Sequence, residues 1–126
     1  MNGYLLDTHV LLWWLAEPER LAAPARDIIE DPQIPVLVSA AAVWEMAVKK
    51  AIGRLDMPSN LPEVLAGERI EILDVGIHHA LAVADLPMHH RDPFDRLQVV
   101  QARIENLVLV TRDRRLVRYE VQILGA

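Results

Sequence analysis

Short apolar runs, each too brief for a helix and most of them followed by a helix-like stretch, constrain this chain more than any other feature. They are "GYLLD", "PVLVS", "RIEILDV" and "NLVLVT", with "VQIL" near the end reading as a fifth, at an edge. Side chains alternate faces along a strand, so a run that is apolar at every position needs cover on both sides. The intervening segments supply it. "THVLLWWL" follows the first run as a helix, and a second helix is expected from about Leu21 to Glu30, ended by Asp31 and Pro32. "AAAVWEMAVKKAIG" takes Ser39 as its cap and stops at Gly53. "LDMPSNLPEVLAG" holds a short helix, "IHHALAVADL" another, and "RDRRLVRY" a turn with one helical turn. Strands alternating with helices imply an α/β chain: a three-layer α/β/α sandwich around a mainly parallel sheet of four to five strands. The whole of residues 1–126 is expected to be one domain.

The totals exclude several chemistries. The chain has no cysteine, which removes disulfides, thiolate metal sites and cysteine nucleophiles and permits a reducing compartment. A net charge of −5 argues against nucleic-acid binding by overall positive charge, so any such partner needs a local basic patch. No basic, apolar and small-residue leader opens the chain, and no apolar run approaches the roughly 20 residues that span a bilayer. A soluble, cytoplasmic protein with no membrane contact is expected.

The stretch "HRDPFDRLQVVQARI" sets Asp92 and Asp95 three residues apart where a helix begins. Asp92 before Pro93 is a good cap, and Asp95 sits in a first turn whose dipole favours negative charge. Phe94, Leu97, Val100 and Ile104 are expected to form the buried stripe of this helix. Other acids fall nearby in the expected topology. Asp7 ends the first strand and Asp113 lies just past the fourth, and ligands of open parallel sheets bind beyond the carboxyl ends of the strands. Glu45 interrupts "AAVWEMAV", where a lone carboxylate is costly to bury. The alternative is an exposed helix face, with Lys49 four residues later as an ion-pair partner. Taken singly, each acid also fits a surface position. Brought together, each pair about 6 Å apart would repel by roughly 3 kcal/mol at an effective dielectric of 20. A divalent cation resolves that conflict, and oxygen ligands favour Mg²⁺ or Mn²⁺ with several waters retained.

With those residues identified, the chain resembles the PIN-domain family, and within it the VapC-type toxins of bacterial toxin–antitoxin pairs. The likeness rests on "LLDTHVLLWWL", "SAAAVWEMAVKKAIGRL", "HRDPFDRLQVVQA" and "LVTRD", in family order over almost the whole chain. It implies a metal-dependent endoribonuclease whose acidic quartet falls on Asp7, Glu45, Asp95 and Asp113. Thr8 and Thr111 match positions that flank those acids and hydrogen-bond them or a metal water. Asp92 either caps the helix or supports the site from behind. On this reading Asp7 and Asp95 bind the ion directly, while Glu45 and Asp113 act through water, complete a second metal site or position the attacking water. The expected reaction is in-line hydrolysis of an RNA phosphodiester by metal-activated water, leaving a 5′ phosphate and a 3′ hydroxyl. The resemblance also implies a cognate antitoxin, with "LLWWLAEPERL" as a contact or else as core, and a homodimer.

Arg96, Arg112, Arg114, Arg115 and Lys49, with Arg118, Lys50 and Arg54 near them, are candidates for binding substrate, since the arginine fork suits phosphate. The alternative is solvated charge. His9, His78, His79, His89 and His90 show no zinc-like spacing and are not expected among the ligands. Trp13, Trp14 and Trp44 read as core or partner surface rather than base-stacking platforms. Two rival functions remain. One is a catalytically silent RNA- or protein-binding module of the same fold, against which the intact quartet argues. The other is phosphoryl transfer with Asp7 as nucleophile, against which stand His9 in place of a second acid and the lack of any lysine after Lys50.

Overall fold

The structure, a computed structural model, describes residues 2–126. The expected strands form: β1 (Tyr4–Leu6), β2 (Val36–Ser39), β3 (Ile70–Leu73), β4 (Val108–Thr111) and β5 (Ile123–Gly125). They make one sheet in the order β3-β2-β1-β4-β5, and every ladder is parallel. The helices between them are α1 (Thr8–Ala16), α2 (Ala23–Glu30), α3 (Ala40–Ala51), α4 (Leu61–Gly67), α5 (Ile77–Ala82) and α6 (Pro93–Ile104).

Alternation along the strands divides the core in two. Leu6, Val38 and Val110 join Val10, Leu11, Met46 and Leu65 on one face of the sheet. Their strand neighbours Leu5 and Leu109 point the other way and pack with Val99, Val100, Leu116 and Tyr119. Both faces are therefore covered, which gives the three-layer sandwich and explains why the strands are apolar at successive positions. Leaving β1, the chain builds outward to β2 and β3, then returns to the other side of β1 for β4 and β5. The strand order reverses at β1, and the β1/β4 crevice is the place where such sheets bind ligands. Close packing at the start of β1 requires glycine. Gly3 has φ +142°, and a Cβ there would lie 2.7 Å from the Pro35 carbonyl oxygen.

Three local expectations are corrected. The second helix begins at Ala23 rather than Leu21, because Pro24 favours a helical first turn; Leu21 precedes it as a buried residue after a 3₁₀ turn at Pro18–Arg20. The buried face of α6 is not the Phe94–Leu97–Val100–Ile104 stripe. Ile104 is 43% exposed, whereas Arg96, Gln98 and Gln101 are buried beside Val99, Val100 and Ala102. The Gln101 amide receives the Ser39 hydroxyl and donates to the Asp74 carbonyl, so a polar side chain serves α6 as a strut to β2 and the loop after β3.

Arg96, expected among the substrate-binding cations, is the third correction. Its guanidinium donates to the carbonyls of Val83, Leu86, Pro87 and His90 and to the Tyr119 hydroxyl, at 3.0 to 3.4 Å. With 7% of its surface exposed, it clamps the segment between α5 and α6 and has no face left for a phosphate. Replacing Arg96 with methionine keeps the apolar stem and orphans several carbonyls at about 1–3 kcal/mol for a buried one, so Arg96→Met should lower unfolding stability by about 2–4 kcal/mol. Urea denaturation checks this, and an unchanged midpoint would show that the clamp contributes little.

Candidate active site

Four acids reach the carboxyl end of the sheet from four different elements. Asp7 lies between β1 and α1 and caps the helix, its Oδ1 accepting the Val10 N–H at 2.8 Å. Its Oδ2 accepts the hydroxyl of Thr111, the last residue of β4. The same Thr111 oxygen accepts the Asp113 N–H at 3.0 Å. One hydroxyl thus links the acid after β1 to the acid after β4, across the crevice where the strand order reverses. Asp113 caps the 3₁₀ turn Arg114–Arg118, and its two oxygens accept from the Arg115 side chain at 3.0 and 2.9 Å.

Glu45 points inward from α3 and is 4% exposed. Thr8 donates its hydroxyl to Oε1 at 2.7 Å, and Lys49 Nζ stands 3.0 Å from Oε2. The i,i+4 ion pair is present, but it enters the cleft instead of lying on an exposed helix face. Asp92 caps α6 by accepting the N–H groups of Phe94 and Asp95 at 2.9 and 3.1 Å. Asp95 directs Oδ2 at His90 Nε2, 2.8 Å away, and that nitrogen is also 3.5 Å from Asp113 Oδ2.

His90 is the residue that the sequence reading passed over. It is 8% exposed, and its ring and those two carboxylates each offer an atom within 4.8 Å of the others. Spacing rules miss it because the fold, not a local repeat, brings it to the acids. The one local signal was its position two residues before the cap of the helix that carries Asp95.

The electrostatics show a conflict that the chain relieves only in part. Burial raises the pKa of Asp7 above the ordinary carboxylate value; the bonds from Thr111 and Val10 and the nearby His9 oppose the rise, and Glu45 adds to it. Burial also pushes Asp95 up to about 6, against the His90 bond and with repulsion from Asp92 and Asp7 adding to it. The Arg115 side-chain bonds hold Asp113 below the usual range. Buried anionic oxygens whose protonation is favoured by their surroundings suit a hard divalent cation, which would supply the missing positive charge. The donor set fits such an ion.

The remaining basic candidates divide. Arg112 lies over the Trp13 ring at 4.2 Å and donates to the carbonyls of Arg20 and Ala126, so its guanidinium is engaged in tying the C-terminal end to α1. Arg20 also stands over that ring, which leaves Trp13 little free face for a base. Arg114 is exposed and lines a groove of ≈ 570 Å³ with Thr111, Asp113 and Val117. Lys50, Arg54 and Arg118 are exposed as well. Trp44 is 62% exposed and packs edge-on against Phe94 at 5.2 Å.

Ribonuclease VapC22 of Mycobacterium tuberculosis is 33% identical over 119 residues, covering 92% of this chain and 91% of its own length. Among solved structures, VapBC2 from Rickettsia felis bound to a promoter DNA fragment has a similar fold, with TM-score 0.74, 16% identity and 97% of each chain covered. A toxin–antitoxin complex from Klebsiella pneumoniae gives TM-score 0.58 at 19% identity, covering 88% of this chain and 87% of the other. Residues 4–122 match the PIN domain, and with the all-parallel sheet and its acidic crevice they show that this chain belongs to the PIN-domain family.

Proposed function

We propose that this protein is an endoribonuclease toxin that hydrolyses RNA phosphodiesters with a divalent cation, Mg²⁺ or Mn²⁺, held by its acidic cleft. The observation that carries the reading is the convergence of Asp7, Glu45, Asp95 and Asp113, joined by Thr8, Thr111 and His90, at the sheet's switch point. The similarity to a ribonuclease over nearly the full chain supports the RNA substrate. The toxin–antitoxin neighbours support a cognate antitoxin as partner. A homodimer is proposed on the family resemblance alone.

Asp7 and Asp95 would hold the ion, with Glu45 and Asp113 acting on its waters or on a second ion. Bound there, a divalent cation supplies an acidified water and offsets charge on the phosphate oxygens. The chain's own groups do the rest. Thr111 and the Val10 N–H fix both Asp7 oxygens, and Thr8 fixes Glu45, so these carboxylates need not reorganise when charge develops. Arg114, exposed in the groove beside Asp113, would meet the RNA backbone, since guanidinium pairs well with phosphate. Asp92 shapes the first turn of α6 and so orients Asp95.

Purified protein freed of antitoxin should cut total cellular RNA when Mg²⁺ or Mn²⁺ is present, with 5′ phosphate ends, and stop when the metal is chelated. Asp7→Asn and Asp95→Asn should each lower cleavage by at least about a hundredfold, on the scale of losing one stabilising group of a hydrolytic site. Metal-independent products, or full activity in both variants, would leave the binding-module reading instead.

The same carboxylates should cost stability. Because Asp95 has a higher pKa folded than unfolded, its contribution is fully present below about pH 4 and is lost as pH rises through about 6. Asp95→Asn should therefore stabilise the metal-free protein at pH 7 by about 1–3 kcal/mol, and the difference should vanish below pH 4. Thermal unfolding of both proteins across that pH range measures it; a destabilised variant at pH 7 would contradict the account.

A further inference from the structure

We infer that His90 is a nitrogen ligand of the cation held by Asp95, in a mixed site that Asp113 joins directly rather than through water and that favours Mn²⁺ over Mg²⁺. This deepens the reading above and rests on it. The residue is anchored through its backbone, at the edge of the acidic cleft. The His90 N–H donates to the Tyr119 hydroxyl at 2.9 Å, and its carbonyl accepts from Arg96 at 3.4 Å. Tyr119 and Arg96 are themselves buried, so the anchor is rigid.

The spacing is that of neighbouring ligands. Bonds of about 2.1 Å at right angles separate adjacent donor atoms by about 3.0 Å. His90 Nε2 lies 2.8 Å from Asp95 Oδ2 and 3.5 Å from Asp113 Oδ2. An imidazole lone pair and a carboxylate oxygen at that separation repel unless a proton or a cation stands between them. A single proton on Nε2 lies in good range of Asp95 only; Asp113 Oδ2 is already met by Arg115 at 2.9 Å, and a divalent ion among the three would draw on all of them.

A second cluster shows what a non-ligand histidine looks like. His78, His79 and Glu105 also gather within 4.8 Å, on α5 and just past the end of α6. There the Gly76 N–H donates to His79 Nδ1 at 2.9 Å, which forces the ring proton onto Nε2, and that nitrogen faces Glu105 Oε2 at 3.0 Å. The lone pair a cation needs is gone. Among the described residues no protein group bonds His90 Nδ1, so its proton can sit there and leave Nε2 free. Imidazole suits first-row transition ions, and Mg²⁺ prefers oxygen and water, so one nitrogen ligand raises the affinity for transition ions relative to Mg²⁺, least for Mn²⁺, which stands at the weak end of that series.

Pulsed electron paramagnetic resonance of the Mn²⁺-loaded full chain tests this without relying on cleavage. Nitrogen modulation from a directly bound imidazole should appear, change to the ¹⁵N pattern when histidine is ¹⁵N-labelled, vanish in His90→Gln and persist in His79→Gln. In His90→Gln the Mn²⁺ affinity should fall at least about tenfold, the loss that even a group behind the ligands produces, and the preference over Mg²⁺ should narrow. Mn²⁺ bound with Asp95 dependence but without nitrogen modulation would overturn the His90 assignment and leave the nuclease reading standing. Failure of the unaltered protein to bind Mn²⁺ or Mg²⁺ would overturn both.

Discussion

Mutual repulsion among buried carboxylates is the constraint around which the rest of the site is arranged. Asp7, Glu45 and Asp95 are drawn from three separate elements into one cleft, where burial favours the neutral forms of Asp7 and Asp95. The chain provides partial relief only. Thr8 and Thr111 give neutral hydrogen bonds, Lys49 and Arg115 each serve one acid, and His90 stands between two. Such an arrangement makes sense as a site whose remaining positive charge arrives with a ligand.

The fold delivers these groups through its helix starts. Asp7 caps α1, Ser39 caps α3, Asp92 caps α6 and Asp113 caps the last 3₁₀ turn, all at the carboxyl end of the sheet. A residue that must accept a backbone N–H at that edge has its side chain at the crevice already. Two of these caps, Asp7 and Asp113, therefore belong both to the fold and to the proposed site, while Asp92 and Asp95 divide the positions: the first builds the turn and the second stands in it, facing the cleft. Behind them, the Arg96 clamp and the Gln101 strut are buried polar groups that fix the loops carrying His90 and the acids.

What could be read from the residues follows from which forces are local. The strands were legible because runs such as Leu5, Leu6 and Val108 to Val110 are apolar on both faces. Their parallel order followed from the helices between them. The crevice acids were legible because strand ends are fixed by sequence and parallel sheets bind ligands there. His90 was missed since nothing in "MHHRDP" distinguishes it from His89; its backbone is anchored by Tyr119 and Arg96 and its ring faces Asp95 and Asp113, contacts that only the fold makes. Arg96 was misread for a similar reason. Beside Asp95 it looks like a phosphate ligand, and its burial depends on carbonyls from a segment about ten residues earlier. The α6 stripe failed because hydrophobic spacing cannot anticipate a helix that buries Arg96, Gln98 and Gln101 while exposing Ile104.

The most direct test of the central claim is the unfolding free energy of the protein measured against divalent-ion concentration at neutral pH. If a cation relieves the carboxylate repulsion, stability should rise by about 1.4 kcal/mol for each tenfold increase in Mg²⁺ or Mn²⁺ above its dissociation constant. A flat response, in a protein whose acids are intact, would mean that the cleft tolerates its own charge and that no ion belongs there.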